Sequence, residues 1–306
     1  MNVQSAINAG LILEFVYNEW NKGGANGLDG EAVALSQPLT PPANYKVVKT
    51  LYCCDLATDI DPEAPGREGW KIIGILAVNV ADSTDVVVAV RGTENVWEYI
   101  QDFKFFPRPF NNVPGAGLTD DGFTVMYESF SFTPSACGEP NFIQKLIAEI
   151  KGISPRARVT ITGHSLGGPL VTLLALDLAA HANLPLAVYT FASPRTGDLT
   201  FHKVFDHTVL DCYRIVNRHD IVPQLPPPLL YFHVGDETEL VPGPELKWGI
   251  HCEHHLTTYL HMLGKLLDPG GDKYPIDADC VQAVATAAKP AAIEPMTVEK
   301  QEEVSV

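Results

Sequence analysis

The chain is short of positive charge. Its 306 residues carry 21 Lys and Arg against 37 Asp and Glu, a formal net charge of −16. Such a surface repels polyphosphates and anionic head groups, which excludes nucleic acid and acidic membranes as electrostatic partners. Long apolar runs are missing too. No stretch approaches the ~20 apolar residues of a membrane-spanning helix, so no transmembrane segment is expected. No basic residue precedes Lys22, and Glu14 breaks the only apolar run near the start, which makes a poor secretory signal. The expected location is cytoplasmic, or outside the cell by a route other than the general secretory one. There is no internal repeat and no His-Glu-x-x-His pair, and the cluster His251, Cys252, Glu253, His254, His255 has no second group of ligands to complete a metal site. No metal and no cofactor is expected. Cysteine is sparse, with six residues, and Cys53 and Cys54 are adjacent on a predicted strand and so point to opposite faces. Without an export signal these thiols are expected to be mostly reduced.

What remains is an ordinary globular composition, 46% hydrophobic, with room for one large core. Segments rich in β-branched residues predict strands over 45–54, 70–80, 85–91, 158–163, 186–193 and 212–217. Between and after them, helical patterns cover 122–132, 141–151, 169–180, 198–207 and 253–267, and a further amphipathic helix opens the chain. A hairpin is predicted around Gly235, between 229–234 and 238–241. This alternation implies an α/β domain over residues 1–268, with a mostly parallel central sheet flanked by helices. After Asp268 the composition turns to Pro, Gly, Ala and charge, so 269–306 reads as a tail or a surface strap.

One junction carries chemistry. The run Arg158-Val-Thr-Ile-Thr-Gly163-His164-Ser165-Leu166-Gly167-Gly168 is a strand entering a tight turn, and an apolar helix follows at once. The glycines flank Ser165 where any Cβ would strike the opposite arm of the turn, and the serine hydroxyl is left standing clear of the sheet. The helix behind it directs its dipole and free N–H groups at a developing oxyanion, and the Leu166 N–H is the first donor by the mechanics of the turn. A serine hydroxyl needs a base, and the base needs an orienting carboxylate. On this turn the chain order is Ser, acid, His. Asp220 is the best placed acid, because it follows a strand at the C-terminal edge of the sheet, where sites of α/β folds form. For the base, His254 and His255 stand at the start of the last helix and remain tied on local grounds.

Several segments, in order along residues 70–265, resemble the class 3 lipase family, the fungal-type triacylglycerol lipases with bacterial and plant relatives. Val90-Arg91-Gly92-Thr93 resembles its oxyanion segment, and Asn95 to Phe105 its lid. Asp120-Asp-Gly122-Phe123 resembles its H-x-G-F step, with Asp120 in place of the usual His. Gly163–Gly168 matches the nucleophile motif, and Phe191-Ala-Ser-Pro194-Arg195-Thr-Gly197 resembles FGSPRVG. Arg214 to Pro227 resembles the segment carrying the catalytic Asp, and His254-His-Leu256-Thr-Thr-Tyr259 matches H-x-(L/M)-x-x-Y. The resemblance implies an α/β-hydrolase fold with a short helical lid. It selects His254 as the base, puts the second oxyanion donor on Thr93, and makes Val96, Trp97, Tyr99, Ile100 and Phe103 the apolar face of a lid. The implied activity is that of a triacylglycerol lipase acting through an acyl-enzyme on Ser165, in transient contact with a lipid–water interface. A phospholipase A1 or a short-chain or aryl esterase is the alternative. A non-catalytic binding module is the other class, and it is disfavoured because serine, acid and base are all present.

Overall fold

The computed structural model describes residues 1–22, 27–54, 70–93, 105–134 and 138–282. The chain opens with helix α1 (Val3–Asn21), whose first turn is capped by the Asn2 side chain accepting the Ser5 N–H at 2.9 Å. Three strands follow, β1 (Tyr45–Cys54), β2 (Trp70–Asn79) and β3 (Asp85–Val90), each antiparallel to the next. A separate ribbon of β4 (Pro107–Pro109) and β5 (Leu118–Asp120) comes next. The main sheet then grows in parallel from β3 through β6 (Arg158–His164), β7 (Leu186–Phe191), β8 (Cys212–Asn217) and β9 (Asp236–Leu240), giving the seven-stranded order β1-β2-β3-β6-β7-β8-β9.

Central strands are buried on both faces, and the unbroken run Val86 to Val90 in β3 is the sequence of such a strand. Helices α2 (Asp121–Glu128), α3 (Phe142–Ile153), α4 (Gly167–His181) and α5 (Leu199–Thr208) pack with one face into a core that includes Phe110, Phe123, Leu146, Leu170, Leu174 and Phe201. The other face is covered by α1 and by α7 (Leu256–Leu267), around Leu11, Phe15, Ile75, Phe191, Tyr259 and Leu263. Helix α4 is buried from Gly167 through Leu178, which explains why its sequence is apolar all round.

Some sequence expectations shift. Helix α2 ends at Glu128 and not at Phe132, because the Ser129 hydroxyl bonds back to the Met126 carbonyl at 2.7 Å and Ser131 then bridges to Tyr52. The late hairpin does not form. β9 lies parallel to β8, and Phe232 gives its N–H to the Gly197 carbonyl at 2.7 Å. The last helix is split at the extended His255 into a short α6 (Ile250–His254) and α7. The thiols are also corrected: Cys252 and Cys280 form a disulfide and Cys54 is disulfide-bonded as well, while Cys212 remains a buried thiol. Sequence spacing could not reveal that the segment after residue 268 returns to α6. There Tyr274, Ile276 and Cys280 are buried, and Lys247 gives its N–H to the Cys280 carbonyl at 2.9 Å. Residues 283–306 lie outside the described residues.

Candidate active site

β6 ends at His164 and α4 begins at Gly167, so two residues make the whole turn. Ser165 sits in the left-handed region at φ 56°. A non-glycine residue pays strain for this conformation, which persists only where its surroundings over-determine it. Here they do. The Ser165 N–H is held by the Phe191 carbonyl at 2.9 Å, and a Cβ on Gly163 would run into the Gly167 carbonyl. A Cβ on Gly92 would lie 2.7 Å from the Ser165 Cβ and 2.7 Å from the His164 carbonyl oxygen, so the end of β3 can approach the serine only as glycine. The Leu166 N–H has no acceptor among the described residues. Thr93, half-buried, directly follows Gly92. Behind it, Arg91 fixes the segment by donating to the Ile72 carbonyl at 2.9 Å and the Gly92 carbonyl at 2.7 Å, with its guanidinium 4.1 Å above the Trp20 ring.

Asp220 leaves β8 in a turn closed by its own N–H on the Asn217 carbonyl at 3.0 Å. One carboxylate oxygen accepts the Val222 N–H at 2.9 Å, and the other accepts the Tyr259 hydroxyl at 2.7 Å and Nδ1–H of His254 at 2.7 Å. With its proton on Nδ1, His254 presents the Nε2 lone pair, which is the tautomer a general base requires. Both His254 Nε2 and the Ser165 hydroxyl are buried without a hydrogen-bond partner among the described residues. Each is a buried polar atom whose missing partner calls for an explanation.

His255 makes different bonds. Its Nδ1 is 2.8 Å from the Thr257 hydroxyl, it serves as the cap of α7, and burial pushes its imidazole below the usual range. The structure thus bonds His254 to Asp220 and ties its carbonyl to His164, the residue before Ser165, while His255 bonds elsewhere.

Helix α6 is too short to be stable alone. Its last three carbonyls are each held by a buried side chain: Cys252 by the Thr258 hydroxyl at 2.7 Å, Glu253 by the Asn217 amide at 2.7 Å, and His254 by His164 Nε2 at 2.9 Å. Sequence reasoning missed the roles of Asn217, Tyr259 and Tyr17. Tyr259 was visible as a motif letter without a task. Tyr17 carried no signal beyond its place on the apolar face of α1. Its hydroxyl accepts the Gly92 N–H at 2.7 Å and lies 2.8 Å from His164 Nδ1.

Asp120 is fully buried and caps α2 through the Phe123 N–H at 3.3 Å, with the Tyr231 hydroxyl 3.4 Å away. Burial pushes its carboxyl up to about 7. Val96, Trp97, Tyr99, Ile100 and Phe103 lie outside the described residues. Phe105, just after them, packs edge-on against Tyr231. Among the described residues, no group of three or more His, Cys, Asp and Glu is placed to hold a metal ion.

The model of the class 3 lipase family matches residues 87–230. Phospholipase A1-II 1 of Oryza sativa subsp. indica is 32% identical over 277 residues, covering 78% of this chain and 68% of the relative. Phospholipase A1-II 3 of the same rice is 33% identical over 225 residues, covering 64% of this chain and 53% of the relative, so the chain spans about half of that protein's length. Among solved structures, the native Rhizomucor miehei lipase propeptide complex superposes with a TM-score of 0.56 at 24% identity, over 78% of this chain and 67% of that one. A lipase from Rhizopus microsporus var. chinensis matches at 26% identity with a TM-score of 0.50, over 64% of this chain and 61% of its own. The shared fold is that of the α/β-hydrolases.

Proposed function

Because the chain belongs to the class 3 lipase family, we propose that it is a serine carboxylic ester hydrolase, and most specifically a triacylglycerol lipase. The observation that carries this reading is the pair of buried, unpartnered atoms, Ser165 Oγ and His254 Nε2. In the proposed reaction His254 Nε2 takes the Ser165 proton as Oγ attacks the ester carbonyl. The negative charge moves to the former carbonyl oxygen, between the N–H groups of Leu166 and Thr93, each worth about 3 kcal/mol in the transition state. Collapse breaks the ester C–O bond, and the imidazolium returns its proton to the leaving alcohol. Water then attacks the acyl-enzyme, gives a proton to His254, and releases the fatty acid with Ser165 restored. Asp220 holds the ring in its tautomer throughout and stabilises the imidazolium. No step calls for a cofactor. The catalytic unit is residues 1–268, with the segment after it strapped over α6.

Contact with a lipid surface is supported by where apolar side chains remain in water. Phe106, Leu118, Leu199, Ile221, Leu229, Leu230 and Trp248 are all exposed, Leu229 to 84%. They lie on loops and at the first residues of β5 and α5. Leu118 and Asp198 exchange hydrogen bonds, Phe232 is bonded to Gly197, and Trp248 stacks on His219, next to Asp220. Exposed clusters of this kind mark interaction surfaces. The lid over 94–106, with Val96, Trp97, Tyr99, Ile100 and Phe103, is proposed to close over Ser165 in water and to open against this same surface. A phospholipase A1 is the second reading, favoured by the rice relatives at 32–33% identity that bear that name.

Ser165→Ala and His254→Ala are each expected to lower kcat on a soluble p-nitrophenyl ester by on the order of 10⁴–10⁶, and Asp220→Asn by somewhat less. His255→Ala keeps most activity. Wild-type turnover in Ser165→Ala sinks the assignment, and exchanged histidine phenotypes move the base to His255. A hydrolysis profile across acyl lengths, triglycerides and phospholipids separates the two substrate readings.

A further inference from the structure

Helix α1 packs against β3 and β6 and carries Tyr17 to the point where both strands end. Three bonds line up there. The Gly92 N–H reaches the Tyr17 hydroxyl oxygen at 2.7 Å, that hydroxyl is 2.8 Å from His164 Nδ1, and His164 Nε2 is 2.9 Å from the His254 carbonyl oxygen. A carbonyl can only accept, so Nε2 carries a hydrogen. The ring is buried with its centroid 4.8 Å from that of His254, and burial, with His254 beside it, holds it well below the usual imidazole range. A neutral ring with its proton on Nε2 has a lone pair on Nδ1, and Tyr17 must donate to it. Every donor therefore points the same way: Gly92 to Tyr17, Tyr17 to His164, His164 to His254.

The three ends of this relay matter because of their sequence neighbours. Gly92 precedes Thr93, His164 precedes Ser165, and the last carbonyl belongs to His254 itself. We propose that Tyr17 and His164 are positioning residues, a fixed-tautomer relay that sets the oxyanion segment and the base against the nucleophile. The proposal rests on the ester-hydrolase reading. Neither residue touches the ester. Both act by distance, since a displacement of about 1 Å at reacting groups costs up to 100-fold in rate.

Tyr17→Phe keeps the ring and removes only the hydroxyl. Active sites are counted by titration with a p-nitrophenyl alkylphosphonate, and turnover is measured on a soluble p-nitrophenyl ester. The expected result is a kcat per titrated site lowered about tenfold with KM within about twofold, and a parallel loss in the rate of phosphonylation. A merely structural role lowers the melting temperature or the number of titrated sites and leaves turnover per site within about twofold, which overturns the proposal. The second arm needs neither activity nor the variant. In 15N-histidine spectra of the wild-type protein, His164 is expected to stay neutral and Nε2-protonated from about pH 5 to 8, while an unperturbed His titrates near 6.5. An Nδ1–H tautomer, or an imidazolium forming in that range, overturns the relay. A wild-type protein inert to ester and phosphonate defeats the hydrolase reading instead, and the spectra still decide the relay.

Discussion

Asp120 shows how one position can serve folding at a cost. As the cap of α2 it needs an acceptor facing the Phe123 N–H, and a buried Asp supplies one. Its proton is held up to about 7 in the folded chain, against an ordinary 3.8. Below the ordinary value both folded and unfolded chains are protonated. Between the two values the unfolded chain has released its proton and the folded chain retains it. Stability therefore falls as pH rises through that window and stays lower above it. Asp120→Asn keeps the capping oxygen and removes the charge. It is expected to stabilise the protein by about 1–3 kcal/mol at pH 8 and to change little at pH 4. Urea unfolding at the two pH values checks this, and an equal difference at both shows that Asp120 carries no such proton. The same residue illustrates legibility: an Asp standing in for the family's His is visible in sequence, but its burial under Tyr231 is not.

At the scale of elements, α6 is the least self-sufficient piece and carries His254, the proposed base. Three side chains hold its carbonyls, and the Cys252–Cys280 disulfide ties it to the strap across a sequence separation of 28. Loop-closure entropy puts that link at about 3–4 kcal/mol. Replacing Cys252 and Cys280 together by alanine is expected to lower the melting temperature by several degrees and to make residues 274–282 the first site of protease cutting. An unchanged melting curve removes the disulfide from the account. Most elements were legible because their patterns are local: the valines of β3, the glycines around Ser165, the apolar run of α4. The elbow was read from such patterns, Asp220 from its place after β8, and His254 only from the family resemblance, local grounds leaving it tied with His255. What failed depended on partners distant in sequence. The segment 229–241 has the composition of a hairpin, yet the parallel edge of β8 captured β9. The ribbon of β4 and β5 has too few residues for any period to show. The break at His255 arises because the ring caps α7 where a continuous helix was expected. Tyr17 was one more apolar-face residue of an amphipathic helix until the fold brought it to Gly92.

For the whole molecule, a net charge of −16 stands beside an exposed apolar rim. Three basic side chains near these loops have bonded partners. Arg218 pairs with Glu239, Lys247 donates to the Asp279 carbonyl, and Arg195 holds the carbonyls of Gln224 and Pro226. The lipid contact proposed above would draw on burial of leucine and aromatic surface. Leu229→Ser with Leu230→Ser is expected to cut activity on a triglyceride emulsion by about tenfold or more, with soluble-ester turnover unchanged and little response to added NaCl. Equal losses on both substrates place these leucines in the fold, not at the interface. The proposed relay through Tyr17 also bears on how the site is assembled. Its first member is in the opening helix and its last is at His254, with Tyr259 and Cys280 beyond that. Contacts of such separation close late, after the intervening loops have paid their entropy. A chain growing on the ribosome therefore has the residues of its serine turn long before every partner of the proposed relay has been made. The proposed site is complete only once α6 and α7 have docked beside α1.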